Sequence, residues 1–391
     1  MFRVLVLGGY GVFGGRIVRA LAADADLHLL VAGRRKDQAE RFCKSLSQPR
    51  ATVEAIALDT QSQDFTQRLH AARPDLVIDT AGPFQTRVRA SPREEALSET
   101  YGDCEPDAAT HGVAGAALAA GAHYVDLADD RVFVRGVAAL DSAARAAGRW
   151  VVSGASSVPG LSAAVIETVH QRFSRIDAID TAICPGNRTS RGWATTQAIL
   201  SYVGKPFPIL LDGRRHSAYG WQSLRRVHIE GIGVRWTARC EVPDLDLLPL
   251  RYPELRSVDF RAGLELRRMH FGLWLGGWAV RIGLLRSLLP WARPLFALSE
   301  RWQDIGSDTG FMRVVACGLD HHARPLRIQW TIIARNGDGP QIPATAAVVL
   351  ARKLARGALP GGGARPCLDL FTLDEFIAAL DGFAIETRFD D

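Results

Sequence analysis

The sequence predicts an α/β fold in which a doubly wound parallel sheet of the Rossmann type precedes a second, mixed α+β domain. Short apolar runs alternate with helical patterns up to about residue 155, and a glycine-rich turn links the first run to the first helix. The alternation then stops. The chain has 391 residues, which is enough for two domains with substantial cores.

The predicted strands of the first domain are short and almost entirely apolar. Such runs are typical of strands buried on both faces of a parallel sheet. Phe13, Ile17 and Leu21 recur every four residues and form one apolar helix face. Alternation of this kind implies right-handed βαβ units. We predict strands at 3–7, 27–32, 53–58, 75–80, 123–127 and 150–154, and helices at about 12–23, 36–46, 63–72, 110–120 and 133–147.

A polar stretch at 86–110, which contains two prolines, interrupts this domain. We expect an inserted surface loop, because a long segment without a pattern of its own is usually either functional or disordered.

The second half of the chain is rich in Gly, Pro and Trp and follows a less regular pattern. Thr372 and Glu375 have the spacing of a capping box at the start of a final helix. We predict strands at 311–319 and 324–335, joined around His321-His322, and helices at about 343–356 and 373–381.

Composition excludes several classes of protein. The net charge is only +5 and the arginines are scattered, whereas a nucleic-acid-binding protein clusters them on one face. None of the six cysteines lies close to another in the sequence, which argues against a metal site or a disulfide scaffold. The apolar run at the N-terminus is too short for a signal peptide, so we expect a cytoplasmic protein.

A glycine-rich motif follows the first predicted strand and opens the first helix. Gly9 is expected to permit the tight turn, Gly11 to leave room for a pyrophosphate, and Gly14 to let the helix pack closely on the strand. The backbone N–H groups at the start of the helix would then bind the phosphates. The alternative is a purely structural turn. The complete motif is Gly9-Tyr10-Gly11-Val12-Phe13-Gly14.

The second strand ends at Arg34 and Arg35, where NAD-binding sites usually carry an acidic residue. Guanidinium groups pair well with a phosphate dianion, which favours NADP unless these are ordinary solvated side chains. Asp59 ends the third strand and is expected near the adenine end of the cofactor. The loop Ala81-Gly82-Pro83-Phe84 follows the fourth strand and is expected beside the nicotinamide.

The segments VLGGYGVFGGRI, AGRR, VIDTAGPFQ, AGAHYVDLADD, VVSGASSVPGLS and PCLDLFTLDEF together resemble the saccharopine-dehydrogenase-like NADP-binding family. The resemblance implies an NADP-binding domain at 1–155 plus 342–391, with C-terminal helices that return to it. It implies a substrate and dimerisation domain at 156–341, and a site in the cleft between the two. The chain departs from the family in the longer segment after Gln85 and in a middle domain without recognised groups for an amino-dicarboxylate.

Candidate catalytic groups stand near the ends of the later strands. The family resemblance implies that Asp126, the acidic residue of its YVD motif, lies near the cofactor. We therefore expect Asp126 and Tyr124 to take part in proton transfer, with Asp129 and Asp130 as further candidates. The alternative is that Asp126 only braces the loop. Tyr202 has Lys205 three residues on, not four, so the Tyr-Lys pair of short-chain dehydrogenases is absent.

These features predict an NADP-dependent oxidoreductase that acts on a carbonyl, imine or amine in a small-molecule substrate. The alternatives are a non-catalytic NADP-binding protein, peripheral on membranes, and an isomerase or amine-transferring synthase that recycles its cofactor. The apolar segment 271–298 carries Arg281, Arg286 and Arg293, which argue against a membrane span. We expect it to form buried or homodimer-forming helices, an interfacial membrane patch or a lid.

Overall fold

The computed structural model describes residues 1–87 and 111–390, and the chain divides into two compact units. The first comprises Met1–Leu161 and Gln341–Ala379, and the second Ser162–Pro340 and Leu380–Asp391. The predicted insertion at 86–110 lies outside the described residues apart from its first two positions.

The first unit contains a parallel sheet in the strand order β15-β6-β5-β4-β1-β2-β3. The order reverses between β1 and β4, and ligands of open α/β sheets bind at the carboxyl ends of strands beside such a reversal. The predicted Rossmann fold is therefore confirmed. Its strands are β1 (Phe2–Leu7), β2 (Leu27–Gly33), β3 (Thr52–Ala57), β4 (Leu76–Asp79), β5 (His123–Asp126), β6 (Trp150–Ser153) and β15 (Gly363–Pro366).

Helices cover the sheet of the first unit. Leu5, Leu30, Val77 and Val151 are buried in one apolar cluster with residues of the neighbouring helices, including Leu69. Strands β1, β2, β4, β5 and β6 are mostly buried, which explains why they are mostly apolar, whereas the edge strand β3 is partly exposed. The helices are α1 (Gly14–Leu21), α2 (Lys36–Lys44), α3 (Phe65–Ala72), α4 (Gly112–Ala119), α5 (Arg131–Gly136), α6 (Asp141–Ala147), α12 (Gln341–Ala355) and α13 (Leu373–Ala378).

The chain returns to the first unit through α12 and β15. Arg352 of α12 pairs with Asp24 at 2.9 Å and donates to the Ala20 carbonyl oxygen, which attaches this helix beside α1. The predicted capping box is present at α13, where Thr372 and Glu375 each accept a backbone hydrogen bond from the other.

The second unit contains a mixed sheet in the order β10-β11-β12-β7-β13-β14-β16, with β8 and β9 attached at β12. The predicted hairpin is present as β13 and β14, which pair antiparallel along their whole length. Its strands are β7 (Arg175–Cys184), β8 (Pro206–Leu211), β9 (Arg214–Tyr219), β10 (Arg225–Ile229), β11 (Gly233–Arg239), β12 (Ser257–Ala262), β13 (Gly310–Leu319), β14 (Pro325–Ala334) and β16 (Ile385–Asp390). Its helices are α7 (Ser162–His170), α8 (Trp193–Tyr202), α9 (Asp244–Arg251), α10 (Arg267–Arg281) and α11 (Ala292–Glu300).

The C-terminal residues differ from the expected division of the chain. Strand β16 pairs antiparallel with β14, so the last residues belong to the second unit, whereas 342–391 had been expected in the first. The reason is that residues 385–390 form a partly exposed strand that pairs with β14 and completes an edge of the second sheet.

The apolar segment at 271–298 covers most of α10, a connection at 282–288, a short turn at Leu289–Trp291, and most of α11. Over residues 1–87 and 111–390, no helix has both the length and the apolar character needed to cross a membrane.

Candidate functional site

The glycine-rich turn brings the start of α1 directly against the end of β1. A Cβ on Gly14 would lie 2.3 Å from the Gly8 carbonyl oxygen and 2.7 Å from Thr80 Oγ1, so only glycine fits. A Cβ on Gly9 would lie 2.9 Å from the Val6 carbonyl oxygen. The left-handed residue of the turn is Gly8, with φ of +73°. Gly8, which the motif did not include, therefore makes the turn that had been expected of Gly9.

The same turn offers free backbone donors. No side chain caps α1, and within the described part of the chain the N–H groups of Val12 and Phe13 donate to no backbone carbonyl. Gly11 is exposed. Unpaired N–H groups at a helix start, together with the positive end of the helix dipole, attract anions. These donors fit the diphosphate of a dinucleotide.

Tyr10 connects this turn to the end of β2. Its ring packs on Gly33, where a Cβ would lie 2.4 Å from the ring, and its hydroxyl oxygen accepts the Arg35 N–H at 3.2 Å. The side chains of Arg34 and Arg35 are exposed, and neither guanidinium pairs with a carboxylate among the described residues. Two unpaired guanidinium groups, with no carboxylate at this position, fit the 2′-phosphate that distinguishes NADP from NAD.

Asp59 lies just beyond β3, where its side chain is half-buried and accepts the Gln61 N–H at 3.1 Å. The hydrogen bond shapes a local turn of the kind that Asp commonly forms. A contact between Asp59 and the adenine end of a cofactor stays a prediction.

The loop 81–84 is fixed by a buried acidic residue at the end of β4. Asp79 accepts the Ala81 N–H at 2.9 Å and pairs with the Arg87 guanidinium at 2.6 Å, while Arg87 also donates to the Ala81 carbonyl oxygen at 2.7 Å. Burial is the largest single influence and lowers the pKa of Arg87, but the charge and hydrogen bond of Asp79, together with Tyr124 and Asp126, outweigh it, so the pKa is raised. The guanidinium also lies 4.8 Å from the ring centre of the buried Phe84.

A residue of the next strand in the sheet, β5, is hydrogen-bonded to the Asp79–Arg87 pair. The Tyr124 hydroxyl donates to Asp79 at 3.3 Å. Tyr124 is fully buried, and burial together with the nearby carboxylates raises its pKa well above the ordinary value. A tyrosine in this environment stays protonated over the ordinary pH range.

Asp126 holds two loops at the carboxyl edge of the sheet. Its Oδ1 accepts from the Ala128 N–H, the Ser153 hydroxyl and the Gly154 N–H, each at 2.9 Å. The residue is fully buried, and burial raises its pKa to about 6. These contacts match the interpretation in which Asp126 braces the loop. Direct participation of Asp126 in proton transfer stays a prediction.

Asp129 differs from Asp126 in its exposure. It is half-buried, its Oδ1 accepts from the Gln85 amide at 2.9 Å, and burial raises its pKa to about 6. Asp130 instead caps α5 by accepting the Phe133 N–H at 3.0 Å. The carboxyl groups of Asp126, Asp129 and Asp130 therefore make different contacts, although the three residues are close in the sequence.

Residues 4–90 match the family described as the saccharopine dehydrogenase NADP binding domain, which identifies NADP as the cofactor. No curated protein sequence matches the chain. Saccharopine dehydrogenase (L-Glu forming) from Saccharomyces cerevisiae is 13% identical, with a TM-score of 0.69 over 100% of both chains. This confirms the expected fold.

Two further structures resemble the chain more weakly. A probable dehydrogenase from Thermotoga maritima is 8% identical over 97% of this chain and 93% of its own, with a TM-score of 0.45. A meso-dapdh mutant from Clostridium tetani is 11% identical over 96% of both chains, with a TM-score of 0.43.

Proposed function

We propose that this protein is an NADP-dependent oxidoreductase. Its fold is saccharopine-dehydrogenase-like, and its residues 4–90 match the saccharopine dehydrogenase NADP binding domain. Its substrate is a small molecule with a carbonyl, imine or amine group. The observation that carries the proposal is a turn with unpaired N–H groups beside two exposed, unpaired arginines. NADPH, when bound, supplies the hydride.

Different residues of the first unit bind different parts of the cofactor. The N–H groups of Val12 and Phe13 hold the diphosphate, and Arg34 and Arg35 hold the 2′-phosphate. The loop 81–84, fixed by Asp79 and Arg87, forms a wall beside the reacting ring. Because that loop is already hydrogen-bonded, little ordering is needed when a ligand arrives.

Among the acidic residues, Asp129 is our candidate for exchanging a proton with the substrate. A general acid works best with a pKa near the working pH and must reach the substrate. Both Asp126 and Asp129 have a raised pKa, but Asp126 is a fully buried residue whereas Asp129 is a partly exposed one. In this proposal Asp126 positions the loop that carries Asp129. Tyr124, the other residue expected from the sequence, supports Asp79 and with it the loop 81–84.

Titration with NADPH and with NADH, followed by nicotinamide fluorescence, tests the cofactor site. Loss of a charge-assisted hydrogen bond costs about 1.5–3 kcal/mol, so Arg34→Ala should weaken NADPH binding about ten- to hundredfold and leave NADH nearly unchanged. Arg41→Ala, an exposed change on α2, is the matched control. Equal binding of the two cofactors by the unaltered protein would refute the assignment of the arginines.

A panel of carbonyl, imine and amine compounds tests the reaction, with NADPH absorbance as the readout. Asp129→Asn should lower kcat on any active substrate and remove the pH dependence near 6, while NADPH affinity stays within about twofold. An unchanged pH profile would exclude Asp129 as the proton carrier. Substrate loss without net NADPH change would instead indicate an isomerase or synthase, and binding without any turnover would indicate a non-catalytic protein. The homodimer and the cytoplasmic location stay predictions.

A further inference from the structure

The segment that runs from α10 to α11 in the second unit presents large apolar side chains to solvent. Leu275 is 61% exposed, Ile282 69%, Leu284 75% and Trp291 55%. Leu275, Trp278 and Ile282 follow one another at spacings of three and four residues and so share one face of α10. We call the exposed residues Leu275, Trp278, Ile282, Leu284, Trp291 and Leu298 the apolar ridge.

The apolar ridge belongs to a firmly held part of the unit. A Cβ on Gly277 would lie 2.6 Å from Gln222 Nε2, so α10 packs closely against the segment below it. Gln222 donates to the Trp274 carbonyl oxygen and Trp221 donates to the His270 carbonyl oxygen, each at 3.1 Å. The exposed face of α10 is therefore the outer side of an anchored helix.

Basic side chains are interspersed with the apolar ridge along the same segment. Between residues 267 and 301 the sequence contains six arginines and one glutamate, and all six arginines are exposed. Arg281 lies 4.7 Å from the ring centre of Trp278, and Arg268 lies 4.0 Å from that of Trp302. The arginines are Arg267, Arg268, Arg281, Arg286, Arg293 and Arg301.

We propose that the apolar ridge and its arginines bind the surface of an anionic lipid bilayer. Tryptophan and leucine insert at the level of the headgroups, while arginines pair with acidic lipids around them. A second copy of this chain fits less well, because a two-fold interface would bring the same strongly positive patch against itself. The charge of the patch thus favours a negatively charged partner, and its six apolar side chains favour one with a hydrocarbon interior.

Flotation with lipid vesicles tests this proposal on the full chain. We expect binding to phosphatidylcholine vesicles with about 30% phosphatidylglycerol, at least about tenfold weaker binding to phosphatidylcholine alone, and release at about 0.5 M salt. Burying one leucine-sized side chain is worth about tenfold or more in partition. The double variant Leu275→Ser/Ile282→Ser should therefore bind at least about tenfold more weakly.

Two further variants make the test specific. Leu250→Ser removes a leucine of similar exposure, 63%, outside the apolar ridge and should leave vesicle binding unchanged. Arg281→Gln/Arg286→Gln should lose the preference for anionic vesicles, with the unfolding temperature retained. Absence of binding to anionic vesicles, or equal binding by Leu275→Ser/Ile282→Ser, would overturn the proposal. So would a dimer in light scattering that the same variant dissociates, because the ridge would then face a second copy. None of these outcomes depends on the proposed reductase activity.

Discussion

Asp244→Asn is expected to stabilise the second unit, and to do so more strongly as the pH rises. Asp244 lies at the start of α9 and is 1% exposed. Burial raises its pKa to about 7, although the nearby Ser162 hydroxyl acts in the opposite direction. The folded protein therefore keeps a proton on this carboxyl through a range in which the unfolded chain has already lost it.

The magnitude follows from that difference in pKa. Because the folded pKa is raised, stability is highest below the unfolded value of 3.8 and falls as the pH rises toward about 7. One unit of pKa difference corresponds to 1.36 kcal/mol, so the free energy of unfolding falls by about 4 kcal/mol in total. Solvent does not screen this effect because the carboxyl is buried. Asparagine keeps the shape and cannot ionise, so it should recover up to this amount.

Thermal and denaturant unfolding at about pH 5 and about pH 8 would measure the gain. We expect about 1–2 kcal/mol at the lower pH and about 4 kcal/mol at the higher one. Asp304→Asn, a change at an exposed carboxyl, is the control and should give no pH-dependent gain. A gain that is equal at both pH values, or no gain at the higher one, would refute the electrostatic explanation.

Three further predictions concern the first unit. Gly14→Ala places a Cβ 2.3 Å from a backbone oxygen of the turn and should weaken NADPH binding at least about tenfold. Gly115→Ala, whose Cβ meets no atom of residues 1–87 or 111–390 within 4 Å, should not. Arg87→Gln leaves the carboxylate of Asp79 buried without its cation and should cost about 3 kcal/mol, measurable by denaturation. Thr372→Ala removes a helix cap and should cost about 1 kcal/mol, measured as a lower unfolding temperature.

The sequence pattern predicted those parts of the fold that depend on regular spacing. Five of the six predicted strands of the first unit, β1, β2, β4, β5 and β6, are mostly buried and therefore mostly apolar, so each could be recognised as a separate apolar run. The edge strand β3 is partly exposed, yet its apolar residues were sufficient to predict it. Strand β15 was missed, since it has four residues and includes a glycine and a proline. Strand β16 was missed because it is a half-exposed edge strand whose partner, β14, lies far back in the sequence.

The site was predictable where a motif describes a single loop, and less so where distant residues meet. Asp79 and Thr80 stand in the recognised VIDTAGPFQ segment, yet their contacts with Arg87, Gly8 and Gly14 become evident only in three dimensions. Likewise, no sequence pattern distinguishes a buried Asp126 from a half-exposed Asp129, because exposure depends on what packs against each. For the same reason, the sequence did not determine whether the apolar ridge is exposed or buried.

The packing of Tyr10 on Gly33 has a consequence for changing the cofactor preference of the protein. One aromatic ring belongs to the loop that holds the diphosphate and also supports the turn that carries Arg34 and Arg35. Replacing the arginines with an acidic residue to favour NADH would leave the contact between Tyr10 and Gly33 intact. Replacing Gly33 with any larger residue would displace the ring and disturb both halves of the site together. Natural variation at position 33 is accordingly expected to occur only together with a smaller residue at position 10.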